Sequence, residues 1–195
     1  MACVTALLVA SFAAAARAQK GAGDWPMYRH DPASTGYSAL KQINTKNVAT
    51  LTQAWTMRLN DRGGLEVTPI AVNGILYLTG GNKVLAVDPE TGKEIWHYEL
   101  PTSQASTRGV AYWPGDGTNA PRILFTTLDR KLIALDAATG KLVPSFANDG
   151  VAELTVGYNG VPTIFKNMAL LGASVGELPK GPSGDTRAYD AITGK

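Results

Sequence analysis

Apolar residues in this chain arrive in short runs, and each run is closed within a few positions by Gly, Asn, Asp or Pro. Runs of that length suit strands better than helices, and their unbroken apolar character suits strands buried on both faces. Residues 68–72 and 75–79 flank Asn73-Gly74, a pair whose tolerance of positive φ is a strong signal for a two-residue hairpin. Residues 110–113 and 123–127 form a second pair, followed by Asp129-Arg130, and residues 161–165 and 169–172 form a third around Lys166-Asn167. No segment sustains a helical period. The pattern predicts an all-β chain.

One unit recurs. Residues 83–93 end in Asp-Pro-Glu-Thr-Gly-Lys; residues 131–141 end in Asp-Ala-Ala-Thr-Gly-Lys, and residues 186–195 in Asp-Ala-Ile-Thr-Gly-Lys. The aspartates Asp88, Asp136 and Asp190 stand 48 and 54 residues apart, the size of a four-stranded propeller blade. The unit reads as strand, turn and strand: the Asp carboxylate accepts from N–H groups of the turn, and Gly supplies a positive φ before the chain reverses. Trp96 follows as a large apolar plug between neighbouring sheets, with Trp55 in the same role before the first full repeat. In the second repeat Pro144 stands at that place, so the plug is not universal. The expected fold is a partial β-propeller of about three blades, two complete and a third one strand short. Its last sheet would expose an edge, which reads as the N-terminal part of a longer ring.

Composition supports this picture at two points. The 21 Gly and 11 Pro fit a turn-rich β protein, and a formal net charge of +2 with no Lys/Arg cluster argues against a nucleic-acid partner. Residues 6–16 form an apolar run too short to span a bilayer, ending in Ala16-Arg17-Ala18. Small residues at both ends of that triplet fit signal-peptidase cleavage after Ala18, although no Lys or Arg precedes the run. Residues 1–18 are therefore expected to be a signal peptide and residues 19–195 an exported, periplasmic or secreted propeller part. Cys3, the only cysteine, lies in that leader, which leaves the mature chain without a disulfide.

The innermost strands of successive blades begin near a common channel, so equivalent positions converge there. Glu66 stands three residues before Pro69 and Asn159 three before Pro162, and the same phase places Arg108 at the start of the second inner strand. This set reads either as a polar ligand site or as a simple surface pairing of Glu66 with Arg108. A second cluster is Gly172, Ala173, Ser174, Val175, Gly176 and Glu177. Its small residues let backbone approach a flat ligand, and Glu177 offers an oxygen suited to a hard cation such as calcium.

The opening Asp24-Trp25-Pro26-Met27-Tyr28-Arg29-His30-Asp31 and Thr35-Gly36-Tyr37-Ser38 resemble the start of the quinoprotein alcohol and glucose dehydrogenases. So do residues 49–55, Arg108-Gly109-Val110-Ala111-Tyr112-Trp113 and the Asp-x-x-Thr-Gly-Lys turns, and together they cover residues 24–195. The resemblance implies an eight-bladed quinoprotein propeller that binds pyrroloquinoline quinone flat in the channel mouth on Ca2+ or a lanthanide. It implies that Glu66, Arg108 and Asn159 contact the quinone, that Ser174, Val175 and Gly176 line it, and that Glu177 is a metal ligand. The implied activity is oxidation of an alcohol or sugar, with electrons passing to a membrane quinone or a cytochrome. The family's catalytic Asp and second metal-ligand Asn belong to later blades, so none is expected within residues 1–195. Two departures stand out: Asn159 where the alcohol enzymes usually have Thr, and Thr102-Ser103 where they carry adjacent cysteines. The second, with residues 179–185, points toward the glucose and sugar-oxidising branch. The competing expectation is a non-catalytic propeller scaffold of the outer-membrane assembly type. Such a protein needs a lipid-attachment cysteine after the leader, and none is present.

Overall fold

The structure, a computed structural model, describes residues 23–59, 66–176 and 180–195; the predicted leader lies outside the described residues. A first four-stranded sheet runs in order β1 (Ile70–Val72), β2 (Ile75–Gly80), β3 (Lys83–Val87) and β4 (Glu94–Glu99). A second holds β5 (Ala111–Trp113), β6 (Arg122–Thr126), β7 (Lys131–Asp136) and β8 (Val151–Glu153). A third has three strands, β9 (Thr163–Phe165), β10 (Met168–Gly172) and β11 (Thr186–Asp190). All pairings are antiparallel and join sequence neighbours. Among the described residues the only helical element is a single 3-10 turn, Val48–Thr50.

The predicted hairpin turns are in place. Asn73 and Gly74 both carry positive φ (53° and 76°), and Arg130 and Lys166 do so at the later turns (65° and 55°). The three Asp-to-Gly turns repeat almost atom for atom. Asp88 Oδ1 accepts from the N–H of Glu90 and Thr91, Asp136 Oδ1 from Ala138 and Thr139, and Asp190 Oδ1 from Ile192 and Thr193. Each Asp carbonyl also accepts from the glycine four residues on, at 2.8, 2.9 and 2.8 Å.

Neighbouring sheets pack face to face, because the middle strands are apolar on both sides. Along β6 and β7, Ile123, Phe125, Ile133 and Leu135 join Ile70, Tyr77, Val84 and Trp96 of the first sheet in one core. The alternate residues Leu124, Leu132 and Ala134 pack with Ala169, Leu171 and Ala191 of the third. The outer face of the first sheet is covered by Trp55, Met57 and Leu59 of the preceding extended segment.

Each junction has a bolt. Trp55 Nε1 donates to Pro89 O (2.9 Å) and Trp96 Nε1 donates to Ala137 O (3.1 Å). The two indoles lie against Gly92 and Gly140, where a β-carbon would come within 2.6 and 2.5 Å of the ring. At the third junction Pro144 offers no ring, and two residues divide the task. Phe146 and Ala147 lie against Gly194, while the Arg122 guanidinium donates to Ala191 O and Ile192 O (2.8 and 2.7 Å). The plug is thus present at all three junctions, built from different side chains at the third.

Candidate functional site

Strand register fixes which residues are equivalent. Tyr77, Leu124 and Leu170 each pair with the alanine two residues before a turn aspartate, namely Ala86, Ala134 and Ala188. On their other side they pair with Ile70, Ala111 and Thr163. Four residues earlier in each blade stand Glu66, Thr107 and Asn159. Thr107, not Arg108, is therefore the in-phase residue of the second blade, which corrects the sequence-based phase. Pro69 and Pro162 mark the first and third inner strands, but Val110 holds the matching place in the second, so the sequence offered no anchor there.

The charged pair forms even so. Arg108 Nη2 lies 3.4 Å from Glu66 Oε2, with about half of each side chain exposed. Thr107 Oγ1 donates to the same carboxylate oxygen (3.3 Å). Backbone holds the two together: Thr68 N–H donates to Arg108 O (3.1 Å), and a β-carbon on Gly109 would lie 2.8 Å from Thr68 O. Gly109, at φ 117°, is the residue that permits this close approach. The pairing that sequence left open as the plain alternative is thus real. An ion pair this exposed contributes little to stability, on the order of 0–1 kcal/mol. Both groups keep unshared hydrogen-bonding capacity toward solvent.

The loop between β4 and β5, which carries Arg108, is tied to its surroundings throughout. Leu100 N–H and Ala105 N–H donate to Asn82 O and Gly81 O, while Leu128 N–H donates to Gln104 O. Ser103 Oγ donates to Asp129 Oδ1 (2.6 Å), and Lys131 Nζ lies 2.9 Å from Asp129 Oδ2. Burial opposes the Asp129 charge, but the bonds from Ser103, Thr127 and Lys131 outweigh it and hold that carboxyl well below the usual range.

Asn159 and the small-residue cluster, which flank β9 and β10 of the same blade, are each tied to a neighbouring segment. Asn159 O accepts from Ser106 Oγ (3.1 Å), and Ser174 N–H donates to Gly157 O (2.8 Å). Ser174, Val175 and Gly176 face Thr155, Val156, Gly157 and Arg130 across a concavity of about 380 Å3. Sequence reasoning passed over the 155–157 wall and Arg130, which lie on turns with no repeat partner of like chemistry. It also passed over Ser106 and Thr107, whose signal was the pair of hydroxyls directly before Arg108. Glu177 lies outside the described residues, and among those described no cluster of His, Cys, Asp or Glu could hold a metal.

A larger concavity, about 660 Å3, runs along the inner strands β1, β5 and β9, from Val110 and Pro162 at the starts of β5 and β9 to Asn73 and Lys166 at the hairpin turns. Its walls are mainly apolar, and its Asp24 carboxylate is already engaged by the Asn73 N–H (3.0 Å). Lys166 is the other charged side chain on its walls, and Glu66, Thr107 and Arg108 stand outside it.

Residues 25–195 match the family described as PQQ: glucose/ethanol/alcohol dehydrogenase, beta-propeller domain. The chain belongs to that family. It is similar to the alcohol dehydrogenase (quinone) dehydrogenase subunit of Gluconobacter oxydans, with 39% identity over 189 residues, 89% of this chain and 24% of the relative. Among solved structures it resembles the quinohemoprotein alcohol dehydrogenase of Comamonas testosteroni, at TM-score 0.73 and 35% identity over 89% of this chain and 26% of that one. It also resembles a europium-containing methanol dehydrogenase, at TM-score 0.67 and 31% identity over 89% and 31% of the two chains. The chain thus spans about a quarter of the length of the curated relatives it matches. Its three antiparallel sheets are part of a PQQ-family β-propeller. Pyrroloquinoline quinone is the cofactor for which the family is described, and one neighbour is a lanthanide-containing enzyme.

Proposed function

We propose that this chain forms part of the cofactor wall of a quinone-dependent oxidoreductase acting on the CH–OH group of an alcohol or sugar. The observation that carries the reading is the Arg108–Glu66 pair, half exposed at the shared end of two inner strands. Pyrroloquinoline quinone is a planar tricarboxylate. Arg108 retains N–H groups beyond the one facing Glu66, which suits charge-assisted bonds to a carboxylate. Thr107 and Glu66 add a hydroxyl and a carboxylate at the rim, Asn159 stands in the matching place of the third blade, and Ser174, Val175 and Gly176 of that same blade line a concavity of their own. When bound, the quinone supplies two-electron acceptance from a C–H bond, with Ca2+ or a lanthanide ion polarising one of its carbonyls. The chain's own residues bind and orient: Arg108 neutralises carboxylate, Glu66 holds Arg108 in place and is itself held by the Thr107 hydroxyl, and Glu177 is the anionic oxygen ligand for the metal. The aspartate base that takes the hydroxyl proton comes from beyond Lys195. Electrons leave to a membrane quinone or a cytochrome. Residues 1–18 direct export to the periplasm, so mass spectrometry of the natural protein is expected to find Gln19 at its N-terminus.

Titration of pyrroloquinoline quinone and calcium into the full-length apoprotein tests the site. Arg108→Ala is expected to weaken quinone binding by about 1.5–3 kcal/mol with little effect on calcium. Glu177→Ala is expected to weaken calcium binding, and quinone binding with it. Wild-type quinone affinity in Arg108→Ala would refute the cofactor wall, and wild-type calcium affinity in Glu177→Ala would refute the metal ligand.

A further inference from the structure

Ser106 sits two residues before Arg108, is fully buried, and has every polar group engaged. Its N–H donates to Thr126 O (2.8 Å) at the end of β6 in the second sheet. Its carbonyl accepts from Thr79 Oγ1 (2.9 Å) in β2 of the first sheet. Its hydroxyl donates to Asn159 O (3.1 Å), ahead of β9 in the third, and accepts from the Arg108 N–H (3.3 Å). One serine therefore joins all three sheets, and its hydroxyl alone touches the backbone of both Arg108 and Asn159. Thr126 Oγ1 reinforces the arrangement by donating to Gly160 O (3.2 Å).

We propose that Ser106 is the positioning residue that sets Arg108 and Asn159 against one another at the cofactor wall. The proposal rests on the reading that these two residues contact the quinone. A hydroxyl is the side chain the place requires, because it must donate to one backbone group and accept from another within a site closed to water. Alanine there would leave the Asn159 carbonyl and the Arg108 N–H without that partner. Arg108 would then keep its carbonyl bond to Thr68 but lose its tie to Asn159, and its alignment at the wall would loosen although neither charged residue is altered. Ser106 acts through these residues and touches no ligand itself.

The test uses the full-length apoprotein and reads the dissociation constant for pyrroloquinoline quinone in the presence of calcium, together with the absorption spectrum of the bound quinone. Ser106→Ala is expected to bind about tenfold more weakly, the effect of roughly one buried hydrogen bond, and to shift the bound spectrum. Thr79→Val keeps the Ser106 hydroxyl but frees its carbonyl, and is expected to weaken binding by about threefold, a part of one hydrogen bond. Tyr77→Phe removes another buried hydroxyl, the one donating to Ala137 O, and is expected to bind as wild type. Wild-type affinity and spectrum in Ser106→Ala, with Arg108→Ala weakened, overturn the proposal and leave the cofactor wall standing. Equal weakening in Tyr77→Phe and Ser106→Ala overturns it as well. Wild-type binding in Arg108→Ala removes the reading beneath it, and the proposal goes with that reading. Should Ser106→Ala fail to fold, Thr79→Val decides: weakened binding supports the proposal, and unchanged binding overturns it.

Discussion

Gly92 and Gly140 each meet two demands, a φ of 70° and an indole ring where a β-carbon would otherwise sit. Gly74 meets only the first, with a φ of 76° and open space around it. Gly74→Ala is therefore expected to cost only the backbone penalty of about 1–2 kcal/mol. Gly92→Ala and Gly140→Ala add overpacking of about 1–3 kcal/mol to that penalty, and denaturant titration of the three variants would order them. A second expectation concerns Tyr77, whose phenol is pushed up to about 12, first by burial and then by Tyr112 and Asp136. The raised value means the neutral ring stabilises the fold. That contribution is complete below about pH 10 and is lost as the pH climbs toward about 12. Tyr77→Phe should flatten the alkaline limb of the stability curve between those values, and an unchanged limb would contradict the assignment. Much at this scale was legible in the sequence, because Asp, Gly and Trp perform their turn and packing roles within a few residues of one another. Ser106 was not, since its four partners come from three sheets and only the folded chain brings them together.

Among the elements, the junction between the second and third sheets departs most from its siblings. Arg122 is 3% exposed, its guanidinium lies 5.3 Å from the Trp113 ring centroid, and among the described residues no carboxylate comes within ion-pair distance. Carbonyl groups take that place: Ala191 O and Ile192 O accept from it as Pro89 O and Ala137 O accept from the tryptophans. Burial pulls the Arg122 pKa down, while Asp116 and Asp190 support the charge. Arg122→Met keeps the apolar stem and loses the donors, and is expected to destabilise the protein by about 1.5–3 kcal/mol. A variant as stable as wild type would show that the ring of Phe146 holds this junction alone. The strands themselves were readable from short apolar runs and from hairpin pairs such as Asn73-Gly74. Arg122 was not, because nothing near it in sequence marks a cation that replaces an indole two strands and one sheet away.

Across the whole molecule, the two faces of the middle sheet are sealed by its neighbours. Exposed apolar residues gather instead on the opening segment, where Tyr28, Tyr37, Ile43 and Leu51 are all more than half open to solvent. The predicted cofactor groups are likewise drawn from only three sheets. Residues 1–195 alone are thus expected to bind pyrroloquinoline quinone at least about a hundredfold more weakly than the full-length protein, some 2.8 kcal/mol. Comparable affinity would mean that three sheets suffice. The propeller architecture was legible because it is written three times over, whereas the one-residue offset of Arg108 was not, because register is a property of paired strands. The order of the bolts along the chain has a consequence for biosynthesis. Trp55 precedes Gly92 by 37 residues and Trp96 precedes Gly140 by 44, so each indole leaves the ribosome before the surface it will close upon. A nascent sheet need wait only for the turn of the next to emerge, and the growing protein can fasten itself one sheet at a time in the direction of translation.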